Sequence, residues 1–132
     1  MRGLLDANAY SLLVRGHRQV IDIVRSAEEI LLSAVVVGEL MHGFRLGSHF
    51  DSNLADLRAF RNSPYVSFVP VGEVTADRYA RIAAALRAKG RPIPTNDVWI
   101  AAHAMETGAD LISADRHFAH VDGIAWVPIA AR

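Results

Sequence analysis

Short apolar runs alternate along this chain with longer stretches in which apolar residues return every three or four positions, a rhythm that predicts strands separated by helices. Residues 3–6 predict a short strand ending in an acid, and Asn8 is placed to cap a helical turn or two over residues 9–15. Residues 18–27 carry Val20, Ile23 and Val24 on one helical face. Residues 30–33 predict a second strand, and Ser33 suits the cap of a helix running through Val36, Leu40 and Phe44 to a stop at Gly47.

The helical period returns over residues 50–62 through Leu54, Leu57 and Phe60, and Pro64 closes it. Residues 66–71 predict a third strand. Tyr79, Ile82, Ala83 and Leu86 then form a helical stripe that ends at Gly90. A loop over residues 91–94 leads to a helix that Asp97 opens and Gly108 ends, followed by strands at 109–113 and 124–127. Strands alternating with helices need crossover connections, so the fold class is α/β: a central, mostly parallel sheet sandwiched by helices. Without repeats or a flexible linker, residues 1–132 are expected to form one domain.

Composition narrows the chemistry. The absence of cysteine removes thiolate metal sites and a cysteine nucleophile, so any metal must be held by oxygen or imidazole. Apolar residues make up 52% of the chain, yet no run approaches the ~20 that span a bilayer. The N-terminal residues meet an acid at once, unlike a secretory leader, and a cytoplasmic protein without membrane attachment is expected. Fourteen bases balance fourteen acids, which gives no overall field that draws nucleic acid. All the bases but Lys89 are arginines, whose forked guanidinium suits phosphate, although biased codon usage gives the same excess.

The acids are more telling. In a parallel sheet, ligands gather beyond the carboxyl ends of the strands. Asp6 ends the first strand, Glu39 lies in the helix after the second, Asp97 opens a helix and Asp115 follows a strand, so one cleft could collect all four. Taken singly, Asp97 and Asp115 are better explained as capping or first-turn residues. Glu39 interrupts an apolar helical run, where an unpartnered acid is expensive. Four converging carboxylates repel one another unless a cation sits among them, and Mg2+ or Mn2+ suits carboxylate oxygen. Such a site predicts phosphodiester hydrolysis. The six histidines show no paired zinc motif, and surface or supporting roles are expected of them. The serines sit in no nucleophile elbow, there is no glycine-rich phosphate loop, and Trp99 and Trp126 read as core residues.

Four segments in order, Leu5-Asp6-Ala7-Asn8, Val37-Gly38-Glu39-Leu40, Pro94-Thr95-Asn96-Asp97 and the run from Leu111 to Phe118, resemble the acidic motifs of PIN-domain ribonucleases. Order, separations and length are most similar to the VapC toxins of VapBC toxin–antitoxin pairs. The resemblance implies a PIN-like fold and a metal-binding, catalytic quartet of Asp6, Glu39, Asp97 and Asp115, supported by Asn8, Thr95 and Asn96. It further implies endonucleolytic RNA cleavage with Mg2+ or Mn2+ that leaves a 5′-phosphate, tRNA or rRNA as the substrate, a homodimer, and silencing by a VapB-type antitoxin. Arg15, Arg18, Arg91 and Arg116 flank the motifs and are candidates for phosphate contact. Ala7 departs from the family, which often has Thr or Ser there. Two rivals stand beside this reading: a catalytically silent PIN-like domain that binds RNA or protein, and a phosphatase with Asp6 as nucleophile. The second acid that such a phosphatase needs would fall at Asn8.

Overall fold

The computed structural model describes residues 1–131. Five strands form one sheet: β1 (Arg2–Leu5), β2 (Glu29–Ser33), β3 (Val66–Val69), β4 (Asp110–Ser113) and β5 (Ala125–Pro128). Their spatial order is β3-β2-β1-β4-β5, and each neighbouring pair is parallel. Parallel strands are covered on both faces and therefore read as continuous apolar runs rather than alternating ones. Leu4 and Leu5 of β1, Ile30 and Leu32 of β2, and Leu111 and Ile112 of β4 are all fully buried. The oldest and youngest thirds of the chain meet in the middle of the sheet, where Gly3 pairs with Asp110 and Leu5 with Ile112.

Six helices flank the sheet: α1 (Ala7–Val14), α2 (Arg18–Ser26), α3 (Ala34–Leu46), α4 (Phe50–Arg61), α5 (Glu73–Ala88) and α6 (Thr95–Thr107). A 3-10 turn over Arg116–His120 joins β4 to β5. The mostly parallel sheet expected from the sequence is thus parallel throughout the described residues. Among these residues no helix is long and apolar enough to cross a membrane.

Helix α6 is buried from Val98 through Ala104 apart from Trp99, because it lies between the sheet and α5. Trp99 is half-buried and stacks on Tyr79 of α5 with ring centres 4.1 Å apart and planes 25° apart, so it joins two helices rather than filling the centre of the core. At the far end, Gly108 takes the left-handed conformation (φ 71°) that stops the helix, as its position suggested. Thr75 ties the start of α5 to the end of α6: its Oγ1 accepts from Gly72 N–H at 3.0 Å and donates to Glu106 at 2.5 Å.

His103 of α6 is fully buried, contrary to the surface or supporting place expected for the histidines. Its Nε2 lies 3.1 Å from the carbonyl oxygen of Pro70 and must donate to it. Nδ1 is then the acceptor for the Ser33 hydroxyl at 2.7 Å. The same hydroxyl oxygen accepts from Val35 N–H and caps α3, as foreseen. One neutral imidazole therefore links the ends of β2 and β3 to α6, and burial holds its pKa below the ordinary value.

Two boundaries differ from expectation by two residues. Strand β3 stops at Val69, since Pro70 has no N–H with which to continue a ladder. Helix α1 starts at Ala7 rather than Ala9, capped by Asp6 and not by Asn8.

Candidate active site

Asp6 leaves the central strand directly into α1. One carboxylate oxygen accepts from Ala9 N–H at 2.8 Å, which satisfies a free donor of the first helical turn. The other accepts from the Ser113 hydroxyl at the end of β4. That hydroxyl oxygen also accepts from Asp115 N–H at 2.9 Å. A single buried serine thus sets the spacing between the first and fourth acids of the chain.

Asp115 continues the chain of contacts. Its Oδ1 accepts from His117 N–H at 2.9 Å, capping the 3-10 turn, and lies 2.9 Å from His117 Nδ1. The same Nδ1 stands 3.3 Å from a carboxylate oxygen of Asp97. Asp97 is the third residue of α6 and caps nothing: the helix start has no side-chain capping bond, and the carboxylate turns toward Asp115 and His117. Asp97, Asp115 and His117 each offer one donor atom, all within 4.8 Å of one another.

Glu39, on α3, accepts from the Asn96 side-chain amide at 3.4 Å, next to Asp97. Both line a groove of about 480 Å3 with Val35, Gly38, His42 and Gly43.

Burial, and after it the charge of neighbouring acids, governs the electrostatics of the site. Burial pushes Asp6 above the usual carboxylate range; the hydrogen bonds from Ser113 and Ala9 pull it back, and the charges of Asp115 and Glu39 push it up again. Burial is also the first cause that lifts Asp97 to about 6, helped by the charge of Asp115, a hydrogen bond shared with it, and the charge of Glu39. His117 opposes that rise. Among the described residues no Lys or Arg forms an ion pair with any of the four acids. A cluster of hard oxygen donors lacking a lysine or arginine counter-charge fits a divalent cation, which would supply the missing positive charge.

The structure brings Asp97 and Asp115 side by side, couples Asp6 to Asp115 through Ser113, and places Glu39 within reach of the charges of both Asp6 and Asp97. Asn96 touches Glu39. Thr95 is the exposed first residue of α6. Asn8 is exposed inside α1, and the bonds that hold Asp6 come from Ala9 and Ser113 instead. Arg15, Arg18, Arg91 and Arg116 are all exposed. Arg18 lines an open cleft with Gln19 and Ala130, and Arg15 another with Tyr10 and Phe44.

Sequence reasoning missed Ser113 and His117. A serine two residues before an acid, at a strand end, is a local signal for Ser113, because its hydroxyl readily accepts from the backbone two residues on. His117 carries no such signal; its role requires α6 and β4 to be side by side.

The family model described as PIN domain matches residues 4–124. The chain is 28% identical to Ribonuclease VapC5 of Mycobacterium tuberculosis over 127 residues, 96% of this chain and 93% of that protein. Its structure resembles VapBC2 from Rickettsia felis bound to a DNA fragment from its promoter, with a TM-score of 0.86 and 20% identity over 98% of this chain and all of that one. It also resembles VapBC-5 of Mycobacterium tuberculosis, a member of the VapBC family of toxin–antitoxin systems. There the TM-score is 0.75 and the identity 25% over 97% of this chain and 98% of that one.

Proposed function

The chain belongs to the PIN-domain family, and on that premise we propose that it is a metal-dependent endoribonuclease of the VapC toxin kind. The reading is supported by the donor atoms of Asp97, Asp115 and His117 lying within 4.8 Å of one another, by the Ser113 hydroxyl that ties Asp6 to Asp115, and by an Asp97 carboxyl that burial first and the acids beside it next lift to about 6. Mg2+ or Mn2+ held by Asp6, Asp97 and Asp115 would polarise a phosphate and acidify a water.

The chain's own residues do the rest. Ser113 fixes Asp6 relative to Asp115, so the two carboxylates cannot drift apart. Asn96 holds Glu39 at the rim of the groove, where it completes the donor set or orients the attacking water. The new bond runs from the water oxygen to phosphorus and the bond from phosphorus to the 3′ oxygen breaks, leaving a 5′-phosphate and a 3′-hydroxyl. The four exposed arginines are the proposed phosphate contacts, with tRNA or rRNA as substrate. The single domain of residues 1–132 is proposed to act as a homodimer silenced by a cognate VapB-type antitoxin. The likeness to VapBC-5, a member of the VapBC family of toxin–antitoxin systems, supports that partner.

The test incubates wild type, Asp6→Asn and Asp97→Asn with structured RNAs in Mg2+, Mn2+ or EDTA. Cleavage by wild type with either metal, and its loss in EDTA and in both variants, supports the proposal. Equal cleavage in every lane overturns it.

A further inference from the structure

We propose that His117 is a nitrogen ligand of the ion in this site, and that it tilts the site toward transition-metal ions over Mg2+. The inference rests on the metal-site reading above and adds to it a donor that the four acids do not include.

The geometry is specific to this imidazole. His117 Nδ1 stands 2.9 Å from Asp115 Oδ1 and 3.3 Å from Asp97 Oδ2, so it faces both carboxylates at once. Donors about 2.1 Å from a six-coordinate ion have neighbours roughly 3.0 Å away along each edge of the octahedron. The two separations lie close to such an edge. All three donor atoms fall within 4.8 Å, a spread that one ion closes with small side-chain movements.

The backbone holds the imidazole in that place. Asp115 Oδ1 caps His117 N–H at 2.9 Å, so ligand and cap belong to one tight turn and the ring projects to the same side as the carboxylate. The other histidines do not compete for the position. His120 lines a separate cavity with Arg81, Leu86 and Met105, and its carbonyl accepts from Lys89. His103 is committed to Ser33 and Pro70. His42 lies in the groove beside Glu39 and is the proper control. With half of its side chain exposed, His117 is reachable by an incoming hydrated ion.

The ligand changes selectivity. Mg2+ favours oxygen and keeps its waters, whereas an imidazole favours first-row transition ions in the order Mn2+ below Co2+ below Ni2+. A site of carboxylates alone would bind these ions with less discrimination.

The test measures binding of Mg2+, Mn2+ and Co2+ to the full chain by calorimetry, for wild type, His117→Gln, His117→Ala, His42→Gln and Asp97→Asn. Circular dichroism confirms that each variant is folded. Removing His117 is expected to weaken Mn2+ about tenfold and Co2+ more, while Mg2+ changes less than about twofold. Echo-envelope modulation of bound Mn2+ should show nitrogen coupling in wild type and in His42→Gln, and lose it in both His117 variants. Unchanged selectivity in the His117 variants, or nitrogen coupling that persists in them, overturns the assignment of His117 while leaving the carboxylate site intact. Failure of wild type to bind any of the three ions overturns both this inference and the metal-site reading.

Discussion

Replacing Asp97 with Asn should make the metal-free protein more stable at neutral pH, although it removes a residue needed for the proposed chemistry. The folded protein holds the Asp97 proton up to about 6, whereas an unfolded chain releases it near 3.8. Between those values the folded state binds more protons, so the stability of the wild type falls as pH rises through the window, and the loss is complete above it. At about 1.4 kcal/mol per pKa unit, the full penalty is roughly 3 kcal/mol. The Asp97 side chain keeps 15% of its surface exposed; solvent screening there, and the loss of a favourable acid in the first helical turn, reduce the gain to about 1–2 kcal/mol. For a chain of this length that is a rise of about 4–8 °C in Tm.

The assay is urea and thermal unfolding of wild type and Asp97→Asn at pH 8 and pH 5, in EDTA and again with Mg2+ or Mn2+. The variant should lead at pH 8 and lose about half of that lead at pH 5, where the folded carboxyl is largely protonated but the unfolded one still releases its proton. Divalent ion should reverse the order, because an ion at a hundred times its Kd adds about 2.7 kcal/mol to the state that binds it. A variant no more stable than wild type at pH 8, or equally favoured at both pH values, would refute the account of a buried carboxyl held above its ordinary pKa beside other acids.

Ser113→Ala removes the hydroxyl shared by Asp6 and Asp115 N–H, and should cost about 1–3 kcal/mol in urea unfolding; RNA cleavage should fall further than substrate binding. His103 predicts the opposite pH dependence to Asp97. Its folded pKa is lowered from 6.5, so the unfolded chain takes up the proton first and the stability it contributes, complete above about 6.5, is lost as pH falls. Unfolding curves of His103→Gln should lack that acid-side slope, and identical slopes in the two proteins would count against the buried neutral imidazole. Trp99→Ala deletes the stack on Tyr79 and should lower stability by about 2–4 kcal/mol, measured by thermal unfolding, with metal affinity kept within about twofold.

Strand and helix order were legible because burial on both faces writes parallel strands as apolar runs such as Leu4-Leu5 and Leu111-Ile112, and because the helices keep a clear period. Asp6, Asp97 and Asp115 stood out in the sequence by their places at element ends, and Glu39 by interrupting an apolar helical run. The cap of α1 was not: Asp6 and Asn8 are equally good capping types, and the choice falls to Asp6 because its N–H reaches the carbonyl of Ile112 at 3.4 Å, a contact 106 residues away in sequence. His103 hid for a related reason. Its partners, Ser33 and the carbonyl of Pro70, lie in other elements, and no local pattern joins them. Ser113 and His117 likewise gain their meaning only after β4 lies beside β1 and the turn that follows it reaches α6.

The pairing of β1 with β4 also sets a clock. Asp6 emerges early in synthesis, but Ser113 and Asp115, which complete its surroundings, follow more than a hundred residues later. At about 5–20 residues per second, the two halves of the site are made roughly 5–20 s apart. During that interval β1 has no neighbour on one side, and the nascent chain carries an acid without a site. A chain halted before β4 lacks both the hydroxyl that Asp6 accepts from and the Asp115 carboxylate.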